Sequence, residues 1–331
     1  MKIEIVTEFG KNTLPEQVSQ AYSSDHLSTE SIENIAYALS KAGYNTHVFG
    51  GIPELTEAYS NKVVMDKDAI YLNISNGMTQ PSRRMQAPIL CEMLGLNYSG
   101  STPSTVALMN NKYFTKKIVG TIVKTPKDML IDDSVGLDTK IDKINYYPII
   151  IKPNGEGGSY GIHQENVVFD KDTAIKQIRK MLDNYSEILL EELIPGTEIT
   201  NLIIGNKHNY LLNEIIVYKT YGKFEHETLV RDLEIKTQNK SDTFPISAYT
   251  KDTKLINNIK NTSVSIFEKL GCRDIARIDY KINLKGELVF LEINSNPNLY
   301  SQYINSICKE KNISYSDLLA LIIKSAYQRY N

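Results

Sequence analysis

Four polar residues on either side of a predicted hairpin turn have the types and spacing of a metal–phosphate site. Arg277 and Asp279 precede the turn, and Glu292 and Asn294 follow it. Side chains two apart in a strand share a face, so a register that pairs odd with even positions would bring all four together. Oxygen ligands suit Mg²⁺, which usually takes few protein ligands plus substrate phosphates, and an arginine would stabilise a transferring phosphoryl group. A salt-bridged surface hairpin is the alternative interpretation.

A glycine-rich segment, KPNGEGGSYG, occupies residues 152–161 and follows an apolar run predicted to be a strand. Glycines such as Gly158 lack a Cβ atom, so the backbone can close around phosphate oxygens and direct N–H groups at them. Lys152 would supply a positive charge and Ser159 a hydroxyl. No Gly-Lys-Ser/Thr follows, so the segment is not a Walker loop. A glycine-rich turn without a ligand is the alternative.

The segment 188–198, ILLEELIPGTE, combines a strand, a Pro-Gly break and the start of another strand. Exposed backbone groups beside such a break could bind an adenine edge, and Glu198 is placed to hold ribose hydroxyls. A strand connection with a solvated acidic pair is the alternative interpretation of the same residues.

The elements before residue 100 alternate between strand and helix, which predicts an α/β lobe with a largely parallel sheet. Ser28 can cap the first of these helices. The predicted elements are strands at 3–7, 45–49 and 68–74 and helices at 28–43 and 86–94.

After residue 146 the predicted strands arrive in pairs, which indicates antiparallel sheets with covering helices, an α+β arrangement. The predicted pairs are 148–152 with 161–168, 187–192 with 198–204, and 275–282 with 287–293. Further helices are predicted at 110–119, 173–183 and 252–270.

The composition is that of an ordinary globular enzyme. The 331 residues suggest two or three lobes, and a formal net charge of −2 gives no global field that would gather nucleic acid or an anionic membrane. The start, MKIEIV, alternates like a strand and predicts neither a signal peptide nor a membrane span. With three cysteines and no CxxC pair, zinc and disulfides are not expected, and a reducing cytoplasm is the expected compartment.

Taken together, these segments resemble the ATP-grasp superfamily and, within it, the D-alanine–D-alanine ligases and their relatives. The similarity extends over nearly the whole chain and lies in the order and spacing of several motifs. The matching segments are IKP at 151–153 with its glycine loop, EE at 191–192 with GTE at 196–198, ARID at 276–279, LEINSNP at 291–297, and NYSGS at 97–101 followed by NK at 111–112.

The resemblance implies three lobes, expected at residues 1–102, 103–186 and 187–331, with ATP between the second and the third. In that family ATP phosphorylates a carboxylate, an amine attacks the acyl phosphate, and ADP and phosphate leave. The lobes would comprise one parallel α/β unit and two antiparallel α+β units.

The resemblance also assigns roles to individual residues of this chain. Lys112 and Lys152, with Gly158 and Ser159, would contact phosphates, and Lys223 would do so from a mobile loop. Adenine would lie on Glu191, Glu192 and Ile194, and ribose on Glu198. Asp279, Glu292 and Asn294 would bind Mg²⁺, expected as two ions, and Arg277 would steady the acyl phosphate.

The departures from the family concern the substrate pocket. Where D-alanine-specific members hold an ammonium with a glutamate, this chain aligns Gln17, or Glu16 after a slip of one residue. We therefore expect a ligase whose substrates are not two D-alanines. The other departures are Asn76 for a histidine, Arg83 and Arg84 where an acidic run is expected, and Tyr303 near an acceptor-side serine.

Expected partners are a small-molecule carboxylate and a nucleophile, which is a free amine, an amino acid or a thiol on a carrier protein. A homodimer is compatible with the resemblance because dimers are common among such ligases, whereas nucleic acid and membranes are not expected. Two alternatives stay open: a D-alanine–D-alanine ligase of cell-wall synthesis, and a non-catalytic nucleotide-binding module. The complete metal and phosphate set argues against the module.

Overall fold

The computed structural model describes residues 1–8, 26–78, 82–157, 160–220 and 241–331. Within these ranges the chain forms three sheets, and no described helix is long and apolar enough to cross a membrane. Some candidate site residues lie outside the described ranges, namely Glu16, Gln17, Gly158, Ser159 and Lys223.

The first sheet is parallel throughout and confirms the predicted α/β lobe. Ser28 caps the first described helix as predicted, because its hydroxyl accepts a hydrogen bond from Ser31 N at 3.2 Å. In the spatial order β2-β1-β3-β4, the strands are β1 Lys2–Val6, β2 Asn45–Gly50, β3 Ile70–Asn73 and β4 Asn97–Tyr98. The helices between them are α1 Thr29–Lys41, α2 Ile52–Ser60 and α3 Arg83–Met93.

The second sheet has the order β5-β8-β6-β7 and is antiparallel. The predicted pairing of 187–192 with 198–204 is wrong, because the first of these strands pairs with β5 and β6 instead. We therefore propose that the second lobe extends to Glu192. The elements are β5 Asp128–Ile131, α6 Leu137–Ile141, β6 Ile149–Pro153, β7 Val167–Val168, α7 Lys171–Leu182 and β8 Ile188–Glu192.

The strand predicted at 161–168 shrinks to Val167–Val168. Residues Gln164–Asn166 form a 3₁₀ turn instead. The buried Asn166 side chain stabilises this turn, since its Nδ2 donates to Ile151 O at 2.6 Å and to Gly161 O at 2.8 Å. These bonds satisfy carbonyl groups beside β6 without extending a strand ladder.

The third sheet is antiparallel in the order β11-β10-β9-β12-β13 and contains the predicted hairpin. One face packs on α9 in a core that includes Ile203 and Ile278. The opposite face shares a core with α1 of the first lobe through residues such as Leu202. The elements are β9 Gly196–Asn206, β10 Asn209–Thr220, β11 Ser241–Pro245, α8 Ile246–Tyr249, α9 Thr253–Lys269, β12 Asp274–Asn283, β13 Leu288–Asn294, α10 Gln302–Lys311 and α11 Tyr315–Tyr330.

The helix predicted at 110–119 is confirmed as α5 Lys112–Val119, which begins two residues later than predicted. A further helix that was not predicted, α4 Pro103–Asn110, precedes it, and the two meet at Asn111. Asn111 caps α5, because its Oδ1 accepts a hydrogen bond from Phe114 N at 3.0 Å. The break places Lys112 at the first position of α5. From there residues 112 and 116, four apart, lie on the same side of the helix.

Candidate active site

The hairpin register confirms that the four polar residues converge. Arg277 pairs with Asn294, and Asp279 pairs with Glu292. This is the predicted register, in which odd-numbered positions pair with even-numbered ones. A bulge follows Asp279. Because paired residues in an antiparallel ladder project to the same face, β12 and β13 present two carboxylates, an amide and a guanidinium together.

Asp279 is held in place by two neighbours. Arg277 donates to both carboxylate oxygens, from Nε at 3.0 Å and from Nη2 at 2.8 Å, and the Thr200 hydroxyl donates to Oδ1 at 2.5 Å. Burial alone would lower the pKa of Arg277, but Asp279 outweighs burial and raises this pKa well above its ordinary value. Arg277 is therefore charged, and its two hydrogen bonds to Asp279 fix its orientation on this face of the hairpin.

A buried group of charges lies under the end of the glycine-rich strand. Glu191 forms ion pairs with Lys116 and Lys152, with each Nζ 2.5 Å from a carboxylate oxygen, and Lys116 also donates to Leu291 O at 2.6 Å. Burial would raise the pKa of Glu191, but the two lysines prevail and hold it below its ordinary value. Two cations share one carboxylate here, so the group keeps a positive charge that suits an anionic ligand.

Lys112 lies beside this group and is 5 % exposed. Its ammonium donates to the Glu156 carbonyl, so it reaches the glycine-rich loop. Burial lowers the pKa of Lys112 to about 8, while Glu292 opposes this shift and the nearby Lys152, Lys116 and Arg84 add to it. A bound phosphate would supply the countercharge that this ammonium has only in part.

A cleft joins the glycine-rich loop to the hairpin. It encloses about 370 Å³ of empty space, part of it open to solvent. Its walls come from α3, α4, α5, the glycine-rich loop and β13. Residues from all three predicted lobes therefore meet in this cleft. The polar residues in its lining are Arg84, Asn110, Lys112, Glu156, Glu292 and Asn294.

The first lobe supplies the arginines of this cleft. Arg84 Nη1 donates to Asn294 Oδ1 at 3.3 Å. Arg83 Nη1 donates to Asn76 O at 2.9 Å, and its Nη2 lies 3.5 Å from Glu156 Oε2. The structure therefore brings three predicted substrate residues, Asn76, Arg83 and Arg84, next to the predicted phosphate and metal residues.

Tyr303 also approaches the hairpin, but as a packing residue. It is 3 % exposed, its ring centroid lies 5.6 Å from the Arg277 guanidinium carbon, and its hydroxyl donates to Asn298 O at 2.7 Å. Burial raises the pKa of Tyr303 well above the ordinary value of a tyrosine. Its contact with Arg277 gives that guanidinium a second support besides Asp279.

The predicted ribose residue lies on the same face of the sheet. Glu198 pairs with Lys281, two positions along β9 from Thr200, which pairs with Asp279. The neighbouring Lys281 Nζ donates to Gly196 O at 3.1 Å. Glu192 and Ile194 lie at the strand break, where Glu192 Oε2 accepts from Lys127 N at 3.4 Å.

The oxygen set fits Mg²⁺ as the resemblance implies. Asp279, Glu292 and Asn294 supply two carboxylates and an amide on one face, which leaves coordination positions for phosphate oxygens. Among the described residues no group of three or more His, Cys, Asp or Glu could hold a metal by itself.

Sequence reasoning did not single out Lys116, Glu156 and Thr200. Lys116 had a signal, because it follows Lys112 by four positions in a predicted helix. Thr200 had no such signal in the sequence. Its contact with Asp279 exists because β9 pairs with β12, and that pairing was not predicted.

Comparison with known proteins adds independent findings. The family model described as D-ala D-ala ligase C-terminus matches residues 123–324. The chain is 27% identical to a D-alanine–D-alanine ligase of Pelagibacter ubique over 91% of this chain and 93% of the relative. It is 28% identical to a D-alanine–D-alanine ligase of Fervidobacterium nodosum over 92% of this chain and 95% of the relative.

The fold also has solved counterparts. The crystal structure of the D-alanine–D-alanine ligase of Bacillus anthracis complexed with ATP superposes with a TM-score of 0.71, covering 99% of this chain and 98% of that one. The two sequences are 20% identical, so this likeness concerns the fold.

Proposed function

Because the chain belongs to the family described as D-ala D-ala ligase C-terminus, we propose that it uses ATP to convert a carboxylate into an acyl phosphate and joins that acid to an amine. The protein is an ATP-grasp ligase. The observation that carries the proposal is the cleft whose lining brings Lys112 together with Glu292 and Asn294. Lys116 and Lys152 pair with the buried Glu191 beside it, and Asp279 pairs with Glu292 across the hairpin.

Each part of this cleft has a task in the proposed reaction. Lys112 and Lys152 bind the nucleotide phosphates, and Glu191 keeps Lys152 in position. Asp279, Glu292 and Asn294 hold Mg²⁺, proposed as two ions, which neutralises the charge that develops during phosphoryl transfer. Arg277, fixed by Asp279 and Tyr303, stabilises the acyl phosphate until the amine attacks it.

We further propose that the substrates are not two D-alanines. The support is Arg84, which lines the cleft from the first lobe, together with the neighbouring Arg83, which contacts Asn76 and Glu156. A zwitterionic amino acid needs a partner for its ammonium as well as for its carboxylate, and an unpaired buried charge is costly. The nucleophile is proposed to be a free amine or a thiol on a carrier protein.

The second candidate is a D-alanine–D-alanine ligase. It is favoured by the two relatives of that name, whose similarity extends over more than nine-tenths of this chain. Incubation with D-alanine, ATP and Mg²⁺, followed by chromatography, separates the candidates. Formation of the dipeptide with kcat/KM of about 10⁴ M⁻¹s⁻¹ or more would establish the second candidate and exclude the first.

Hydroxylamine trapping tests the proposed reaction without knowledge of the acceptor. The enzyme is incubated with ATP, Mg²⁺, hydroxylamine and a panel of aliphatic, aryl and amino acids, and both hydroxamate and ADP are measured. We expect at least one acid to give hydroxamate and ADP in equal amounts. If every acid in the panel gives neither product, the proposal is wrong.

A further inference from the structure

The glycine-rich loop begins with a fully buried asparagine whose four polar groups all form hydrogen bonds. Asn154 lies two residues after Lys152 of β6. Its backbone N–H donates to Glu187 O at 3.1 Å, and its Nδ2 donates to Glu187 Oε2 at 2.7 Å. Its backbone O accepts from Lys112 N at 3.2 Å, and its Oδ1 accepts from Tyr113 N at 2.9 Å. Asn154 therefore links β6 to the start of α5 and to the residue before β8.

Asn110 makes a second connection between this loop and the junction of α4 and α5. It is the last residue of α4, and its Nδ2 donates to Gly155 O at 2.7 Å. The Lys112 ammonium, at the first position of α5, donates to the Glu156 carbonyl. Three consecutive carbonyls of the loop, at positions 154, 155 and 156, thus accept hydrogen bonds from Asn110 and Lys112. These bonds fix the path of the first loop residues relative to α5.

The same contacts complete the capping of α5. The first four N–H groups of a helix, counted from its cap residue, have no partner inside that helix. In α5 they donate to carbonyls of α4, twice to Asn154, and once to the side chain of Asn111. Protein acceptors therefore occupy this helix end, so a phosphate at α5 would bind the Lys112 ammonium and not the helix N-terminus.

The bonds at the junction hold together two lysines that repel each other. Lys112 on α5 and Lys152 on β6 are both buried. The charge of Lys152 adds to the effect of burial, which lowers the pKa of Lys112 to about 8. Because like charges favour separation, the spacing of the two ammonium groups has to be set by the bonds between the elements that carry them.

We propose that Asn110 and Asn154 are positioning residues for nucleotide binding, and that they fix the spacing at which Lys112 and Lys152 bind one polyphosphate chain together. This inference rests on the proposed function. Neither asparagine has to touch the nucleotide, since each acts through the backbone of the glycine-rich loop. Cations that are already held in place lose less conformational freedom when the nucleotide binds, so less of the binding free energy is spent on ordering them.

Asn110 is the better position for a test, because it is half-buried, whereas Asn154 is fully buried and its substitution endangers folding. Asn110→Ala removes the bond to Gly155 and leaves a good helix former at the end of α4. We expect the Kd for ATP and for ADP to rise about three- to tenfold, the effect of one hydrogen bond. The Kd for AMP should change little, since a single phosphate depends less on the spacing of two ammonium groups. Competition with a fluorescent ADP analogue measures all three constants.

Two further variants sharpen the test. Asn110→Asp keeps the size of the side chain but cannot donate to Gly155 O, so it should lose at least as much ATP affinity as Asn110→Ala. Asn184→Ala is the matched control and should bind all three nucleotides like the unaltered protein. The exposed Asn184 also donates from its amide to a backbone carbonyl, Lys180 O at 3.5 Å, but it lies just beyond α7.

A double-mutant cycle determines whether Asn110 acts through the two lysines. In a Lys112→Met background only one of the two ammonium groups is left, so their spacing no longer affects binding. Adding Asn110→Ala to this background should therefore cause little further loss of ATP affinity. Residues that act independently would give additive losses instead.

Three results would overturn the inference while leaving the ligase standing. The first is a variant at Asn110, folded by circular dichroism, that binds ATP as tightly as the unaltered protein. The second is an equal loss for ATP, ADP and AMP, which indicates a general structural effect. The third is an undiminished further loss in the Lys112→Met background, which shows that Asn110 acts independently of Lys112. If the unaltered protein binds neither ATP nor ADP, the proposed function itself is refuted.

Discussion

The nucleotide side and the acid side of the cleft differ in how their charges are arranged. On the nucleotide side, Lys116, Lys152 and Glu191 form a buried group within the proposed second lobe, and Arg277 clamps Asp279 in the third sheet. On the acid side, Arg84 crosses from the first lobe to reach Asn294. The first arrangement fits the proposed nucleotide, whereas the second depends on how the first lobe meets the others.

The largest expected effect is on turnover, from the metal face. Asp279→Asn and Glu292→Gln should each lower kcat by about 10³-fold, since each removes a charge directed at the phosphoryl group. Steady-state ADP release with an accepted acid measures this, with circular dichroism to check folding. Asp133→Asn, at an exposed position, serves as the control. Turnover at the unaltered rate in both hairpin variants would show that the hairpin is only structural.

The buried charge group of Lys116, Lys152 and Glu191 should contribute more to the free energy of unfolding than an exposed ion pair does. Glu191→Gln leaves Lys116 and Lys152 without their shared carboxylate, and breaking a buried ion pair costs about 3–5 kcal/mol. Urea unfolding of the whole protein measures this difference. Glu165→Gln breaks the exposed pair with Lys180 and should cost less than about 1 kcal/mol. Equal effects of the two substitutions would contradict the distinction between a buried and a solvated pair.

Lys152→Ala should weaken ATP binding by about 10- to 100-fold, because one charge-assisted contact to phosphate is lost. Calorimetric titration with ATP and Mg²⁺ checks this. The acid-side variant Arg84→Gln should bind ATP nearly as well as the unaltered protein. If the two variants bind ATP equally well, the division of the cleft into two sides is incorrect.

The smallest expected effect is a pH dependence of ATP affinity from Lys112. In the free protein its pKa is lowered to about 8 by burial, so ATP meets a charged ammonium below pH 8 and must recruit a proton above it. Affinity should therefore fall with rising pH above about 8, by up to tenfold per pH unit. Lys112→Arg stays charged throughout this range and should flatten the profile.

Lys112 should also make the free energy of unfolding depend on pH, but this quantity should rise with pH where ATP affinity falls. Because the pKa of Lys112 is lower in the folded than in the unfolded chain, the unfolded state binds more protons between pH 8 and 10.5. This contribution to the free energy of unfolding therefore rises as pH increases through that window. A comparison of urea midpoints of the unaltered protein and Lys112→Met at pH 8 and pH 10 isolates it.

Local pattern was sufficient for some parts of this site and insufficient for others. The parity of positions 277, 279, 292 and 294 predicted the face of the hairpin, because side chains in a strand alternate strictly. It did not predict the partner of β8, since an apolar strand next to a Pro-Gly break can join either sheet. It also did not predict α4, and it placed the start of α5 two residues before the cap at Asn111.

The contacts of Arg84 could not be derived from spacing at all. They depend on how α3 of the first lobe packs against the glycine-rich loop and β13, which lie 73 and 210 positions further along the chain. What the sequence offered was an unusual choice of residues, two arginines where the family resemblance implies an acidic run. That choice indicated a changed substrate but not the route by which the side chain enters the cleft.

The central claim is that the acid is activated as an acyl phosphate, and oxygen transfer tests it most directly. An accepted acid, labelled with ¹⁸O in its carboxylate, is incubated with the enzyme, ATP, Mg²⁺ and hydroxylamine, and the products are analysed by mass spectrometry. The account predicts ADP and inorganic phosphate that carries one ¹⁸O atom from the acid in each turnover. Unlabelled phosphate, or AMP with pyrophosphate, would contradict it.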